Sequence, residues 1–117
     1  MGWWRLTVAY AMVIAILAVL PFPAPRVSGV SLDKLLHLCE YLLLAWCVVQ
    51  AARASKFPHL KTLTVAFLLS VSWGVILEGV QGWLPYRQAE WLDVVANTLG
   101  AGLGAWIGVM RRREGSP

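Results

Sequence analysis

Residues 91–110 read WLDVVANTLGAGLGAWIGVM, twenty residues that are apolar but for a few regularly placed polar groups. At 1.5 Å of rise per residue, a helix of that length covers the ~30 Å of a bilayer's hydrocarbon core. Asp93, Asn97, Gly100, Gly104 and Gly108 follow one another at steps of four, three, four and four, so they form a single stripe on that helix. The inner part of the stripe is G-x-x-x-G-x-x-x-G, a surface on which a second backbone can approach closely in lipid. Asp93 and Asn97 continue a face already committed to packing and should therefore point into a bundle.

The rest of the chain fits the same environment. Its 117 residues are 59% hydrophobic and 14% charged, which leaves little chain for a water-soluble surface. Spans are expected at about 3–22, 33–52, 60–82 and 91–110. The expected fold is an all-α membrane protein, a four-transmembrane-helix bundle forming one domain over 1–117. The first span is read as retained: PFPAPRV has no clean small-x-small cleavage site, and the apolar run is long for a signal core.

With loops on alternate sides, Arg5, Arg53, Lys56, Lys61 and Arg111–Arg113 share one side, seven of the ten basic residues. Arg26, Lys34 and Arg87 take the other. The positive-inside rule then makes both termini cytoplasmic in a multi-pass cell-membrane protein. The net charge of +4 is topological, suited to anionic lipid headgroups, and gives no reason to expect a nucleic-acid partner. Cys39 and Cys47 lie eight residues apart on one expected helix, ~12 Å of rise and beyond disulfide reach. PFPAPRVSGVS reads as a short outer loop and RRREGSP as a mobile tail.

The second span opens with SLDKLLHLCEY, residues 31–41, and carries four ionisable groups. Asp33, His37 and Glu40 stand at i, i+4 and i+7, on one face, with Lys34 and Tyr41 on the adjoining stripe. Glu40 lies ~10 Å deeper than Asp33, too deep to reach water along the lipid side. On the third span Gly74, Glu78, Gln81 and Gly82 cluster near the outer end, and Pro85 ends that helix with Arg87 at the tip of the turn. Three helix ends and one loop should thus converge on an outer polar pocket, with His37 and Asn97 near one level.

The pieces DKLLHLCEY, EGVQGWLPYR and DVVANTLGAGLG, in this order, resemble the VanZ-like family of small bacterial integral membrane proteins over residues 33–104. That family is named for a member associated with teicoplanin resistance. The resemblance assigns its recurring polar positions to Asp33, Lys34, His37, Tyr41, Glu78, Gln81, Arg87, Asp93 and Asn97, while Glu40 falls outside its pattern. It implies a cell-envelope role, although a shared fold does not fix a mechanism.

Three functional classes fit these residues. A binding or resistance module would take a lipid-linked cell-wall intermediate or a glycopeptide-type antibiotic at the outer leaflet, and this is the preferred expectation. A membrane-embedded hydrolase or transferase would use His37 as general base, an acid to orient it, and Lys34 or Arg87 to hold an anionic headgroup. No nucleophile motif supports it. A transporter would show broken helices, and none is visible in the sequence. No cofactor or metal is expected, since the cluster holds a single histidine. A plainer reading stands beside these: Asp33 with Lys34, and Arg87 with Asp93, as structural ion pairs, and His37 hydrogen-bonded to a neighbouring helix.

Overall fold

The computed structural model describes the backbone of residues 2–20, 32–85 and 91–115, and the side chains of residues 2–20, 34–85 and 91–110. Four helices follow in order: α1, Gly2–Val19; α2, Leu32–Ala54; α3, His59–Trp83; α4, Trp91–Gly115. No strand occurs among the described residues. All four are long and apolar enough to cross a membrane. In hydrocarbon no water satisfies peptide groups, and a helix closes its own hydrogen bonds. The all-α, four-helix membrane architecture expected from the sequence is the one observed. Helix α4 continues past residue 110, so RRREG is helical and only the last two residues of the expected mobile tail lie outside the described residues. The expected outer loop at 21–31 and the turn tip at 86–90 also lie outside them.

The outward surface is apolar: Leu6, Met12, Ile16, Leu68, Ile76 and Leu99 are all exposed. In water such continuous apolar surface would drive association; in lipid it is the ordinary exterior. Trp83 and Trp91, the most exposed tryptophans, stand at the ends of α3 and α4 where an aromatic belt belongs.

Helix α2 is central. It packs on α1, α3 and α4; α3 packs on α1 and α4; among the described residues α1 and α4 do not pack on each other. The α2–α4 seam is built by small residues. A Cβ on Gly100 would strike the Leu38 carbonyl oxygen, and one on Gly104 the Leu42 carbonyl oxygen. One on Gly108 would lie 3.0 Å from Val49 Cβ. The contacts advance in the same sense on both helices, so α2 and α4 run parallel. The approach also directs glycine Cα–H groups at carbonyl oxygens, a weak hydrogen bond. Ala45, Ala101 and Ala105 are fully buried in the same core. Because lipid tails are as apolar as the helix surface, such close backbone contact supplies the association that hydrophobicity cannot.

The α2–α3 turn closes with the Lys56 amide on the Arg53 carbonyl (2.8 Å) and the Phe57 amide on the Ala52 carbonyl (3.0 Å). This is a Schellman closure, and it places Lys56 at φ 62°, a conformation that favours glycine. At this end the Trp4 indole donates to Ser55 Oγ (2.6 Å), and the Arg53 guanidinium donates to the Gly108 and Val109 carbonyls (2.7 and 3.1 Å). The start of α1, the end of α2 and the inner part of α4 therefore share one end of the bundle. The polar residues of the expected pocket occupy the other.

Candidate functional site

At the opposite end, α2 begins, α3 finishes and α4 begins. Asp93 lies in the first turn of α4, where the helix dipole favours an anion. It is buried, and its Oδ1 meets Lys34 Nζ at 2.6 Å. Lys34 lies in the first turn of α2, where the dipole disfavours a cation, so its pairing with Asp93 offsets its own position. His37, one turn inward, brings Nε2 to 3.7 Å from Asp93 Oδ2, an electrostatic approach longer than a hydrogen bond. The side chains of Lys34 and His37 keep 20% and 16% exposure, against 6% for Asp93. A buried carboxylate is thus flanked by the Lys34 ammonium and by the His37 imidazole, whose Nδ1 is buried.

The next tier inward is uncharged on α4. Asn97 follows Asp93 by one turn and is only 3% exposed. A Cβ on Gly74 of α3 would lie 3.0 Å from Asn97 Nδ2 and 3.1 Å from Tyr41 Cε2, so the missing Gly74 side chain is the space in which α2, α3 and α4 meet. Asn97 Oδ1 is buried with no hydrogen-bond partner among the described residues, and so is Ser70 Oγ, one turn below Gly74 on α3.

The buried face of α3 runs Ser70, Gly74, Leu77, Glu78 and Gln81. Gly82 is exposed, so it does not join the face expected for it. Glu78 is buried. Gln81 turns partly elsewhere: its Nε2 donates to the Ala18 carbonyl of α1 at 3.0 Å. The last carbonyls of a helix lack partners within it, and Gln81 supplies one.

The structure therefore brings Lys34, His37, Tyr41, Glu78, Asp93 and Asn97 to one end and region of the bundle. Asp33 lies within α2, but its side chain is outside the described residues, and Arg87 is wholly outside them. Both ion pairs considered from sequence, Asp33 with Lys34 and Arg87 with Asp93, involve a side chain outside the described residues; among those described, Asp93 is engaged by Lys34 across the α2–α4 seam. The parallel register, 38 with 100 and 42 with 104, sets Asn97 opposite residue 35, about half a turn above His37. Ser70 and Tyr10 were missed. Ser70 had a signal, the i, i+4, i+8 series Ser70, Gly74, Glu78. Tyr10, whose hydroxyl donates to the Glu40 carbonyl at 3.1 Å, had none, because its partner is backbone.

Among the described residues, no three His, Cys, Asp or Glu side chains form a metal-ligating group. What the arrangement offers is a cationic donor, Lys34, at the rim, a buried counter-charge, and unsatisfied neutral polar atoms beneath. A family model described as VanZ/LLP1 matches residues 6–112. Searches of the curated proteins and of the solved structures gave no match.

Proposed function

The chain belongs to the VanZ/LLP1 family, and from that premise we propose that it is a multi-pass cell-membrane protein whose outward-facing polar site binds the anionic headgroup of a lipid-linked cell-wall intermediate. Both termini lie in the cytoplasm on this reading, with the Lys34 end at the outer leaflet. The observation that carries it is the Lys34–Asp93 pair with His37 beside it. An ammonium has three protons and can donate to a phosphate while it holds Asp93. Asp93, buried behind it, holds the ammonium at the helix end. A headgroup fits better than a soluble anion because the outer wall of the site is apolar helix surface open to lipid. The same cationic rim suits the acidic groups of a glycopeptide-type antibiotic, which links the site to the resistance role that the family name suggests.

Hydrolysis or transfer at a headgroup is the second reading. It rests on Asp93 standing where it would orient His37 as a general base.

Mass spectrometry of lipids retained by the detergent-extracted protein tests the binding reading. The wild type should retain an anionic, phosphate-bearing lipid, and Lys34→Gln should lose it. Retention unchanged in Lys34→Gln would sink the proposal. Conversion of the bound lipid, abolished by His37→Ala, would favour the enzyme instead. Displacement of the lipid by a glycopeptide would point to the antibiotic as ligand.

A further inference from the structure

Buried acceptors in a native fold are nearly always matched by a donor, and in lipid no bulk water stands by to supply one. Asn97 Oδ1 and Ser70 Oγ are both buried and both unmatched among the described residues. Asn97 is not stranded in an apolar wall, whereas Ser70 borders the apolar core at Ala66. Asn97 shares its face of α4 with Asp93, and its amide stands against Gly74 and the Tyr41 ring. Ser70 lies on the Gly74 face of α3, one turn further in. The partner that completes each can come through the end of the bundle that Lys34 and His37 border, as a donor to Asn97 Oδ1 and as a donor or acceptor to Ser70 Oγ.

We infer that Asn97 and Ser70 form an inner, uncharged subsite that accepts hydrogen bonds from a hydroxyl or amide N–H of the bound headgroup. The site then reads phosphoglycerol- or phosphosugar-type lipids in preference to a bare phosphodiester. This rests on the binding reading above, in which the phosphate is held at Lys34. Asp93 and Asn97 are one turn apart, about 6 Å along α4, so the ligand must carry a donor at about that distance from its anionic centre. A glycerol or sugar hydroxyl attached through the phosphate meets that requirement; a methyl ester does not. The headgroup enters the bundle hydroxyl end foremost. Asn97 and Tyr41 already fill the space at Gly74, so the headgroup reaches Asn97 from the Lys34 side.

Native mass spectrometry in mixed micelles of phosphatidylglycerol and phosphatidylmethanol tests the inference, since the two share charge and differ in hydroxyls. The wild type should favour phosphatidylglycerol about five- to tenfold, as one to two additional hydrogen bonds give. Asn97→Leu, similar in size, should bring the ratio to about one while total anionic lipid stays bound. A wild-type ratio near one, or a preference that survives Asn97→Leu, overturns the inference. Should Asn97→Leu fail to fold, Ser70→Ala decides: a reduced ratio supports the subsite and an unchanged ratio removes it. Lys34→Gln separates the two levels. Loss of both lipids leaves the headgroup site standing whatever Asn97 does, whereas no loss of either removes the headgroup site itself. Equal competition by soluble glycerol phosphate would overturn the lipid as the source of the group.

Discussion

Replacing Gly104 by Ala adds one methyl group where α4 touches the α2 backbone. The new Cβ would collide with the Leu42 carbonyl oxygen, and would lie 2.8 Å from the Leu42 carbonyl carbon and 2.9 Å from its Cα. Comfortable carbon contacts are about 3.5–4.0 Å, so the helices must part by about 1 Å. A gap of that size forfeits a quarter to a half of each dispersion contact along the seam. Overpacking of this kind costs about 1–3 kcal/mol, and a backbone obstacle, which cannot rotate away, puts Gly104 at the upper end. Alanine returns about 0.5–1 kcal/mol through its better helix propensity. The net loss should be about 2 kcal/mol. Two controls isolate the seam. A Cβ on Gly102 meets only Phe67 Cε1 at 3.7 Å, and one on Gly79 meets nothing within 4 Å. Gly102→Ala and Gly79→Ala should therefore stabilise by about 0.5–1 kcal/mol. Unfolding followed by far-UV circular dichroism as denaturing detergent is titrated into mild micelles measures all three. Equal effects at positions 104 and 102 would refute the close α2–α4 contact.

Other changes bear on other parts of the structure. Lys56→Gly relieves the left-handed φ in the Schellman closure and should raise stability by about 1 kcal/mol in the same titration. Lys34→Met leaves the buried Asp93 carboxylate with only the longer approach of His37; the loss should be about 2 kcal/mol, below that for a fully buried pair because Lys34 keeps partial exposure, and Lys34→Met with Asp93→Asn should recover part of it. In a background lacking Cys39 and Cys47, a cysteine at Ser28 should react with an impermeant thiol reagent in intact cells, and one at Ser55 only after permeabilisation; labelling at Ser55 from outside would reverse the proposed orientation.

The fold was legible where periodicity alone carries it. Gly100, Gly104 and Gly108 declare a helix face, since 3.6-residue spacing depends on no other segment. Their partners were not legible, because Leu38 and Leu42 contribute carbonyl oxygens, and backbone atoms have no sequence signature. The same limit hid Gln81 on the Ala18 carbonyl and Tyr10 on the Glu40 carbonyl. For the candidate site, the sequence named the polar residues and their common end, while the pairing of Lys34 with Asp93 depends on interhelical register. Register follows from which small residue meets which carbonyl, a property of two helices together.

Whether the polar cluster serves a ligand or only holds the helices together is decided by His37→Ala, measured for folding and for lipid retention on one preparation. His37 lies beside the Lys34–Asp93 pair without closing it, and the α2–α4 seam is packed by glycines further in. A functional site predicts that the variant accumulates in the membrane and unfolds within about 1 kcal/mol of the wild type, yet loses its anionic lipid. A variant that fails to accumulate, or that folds and retains the lipid at the wild-type level, would contradict it.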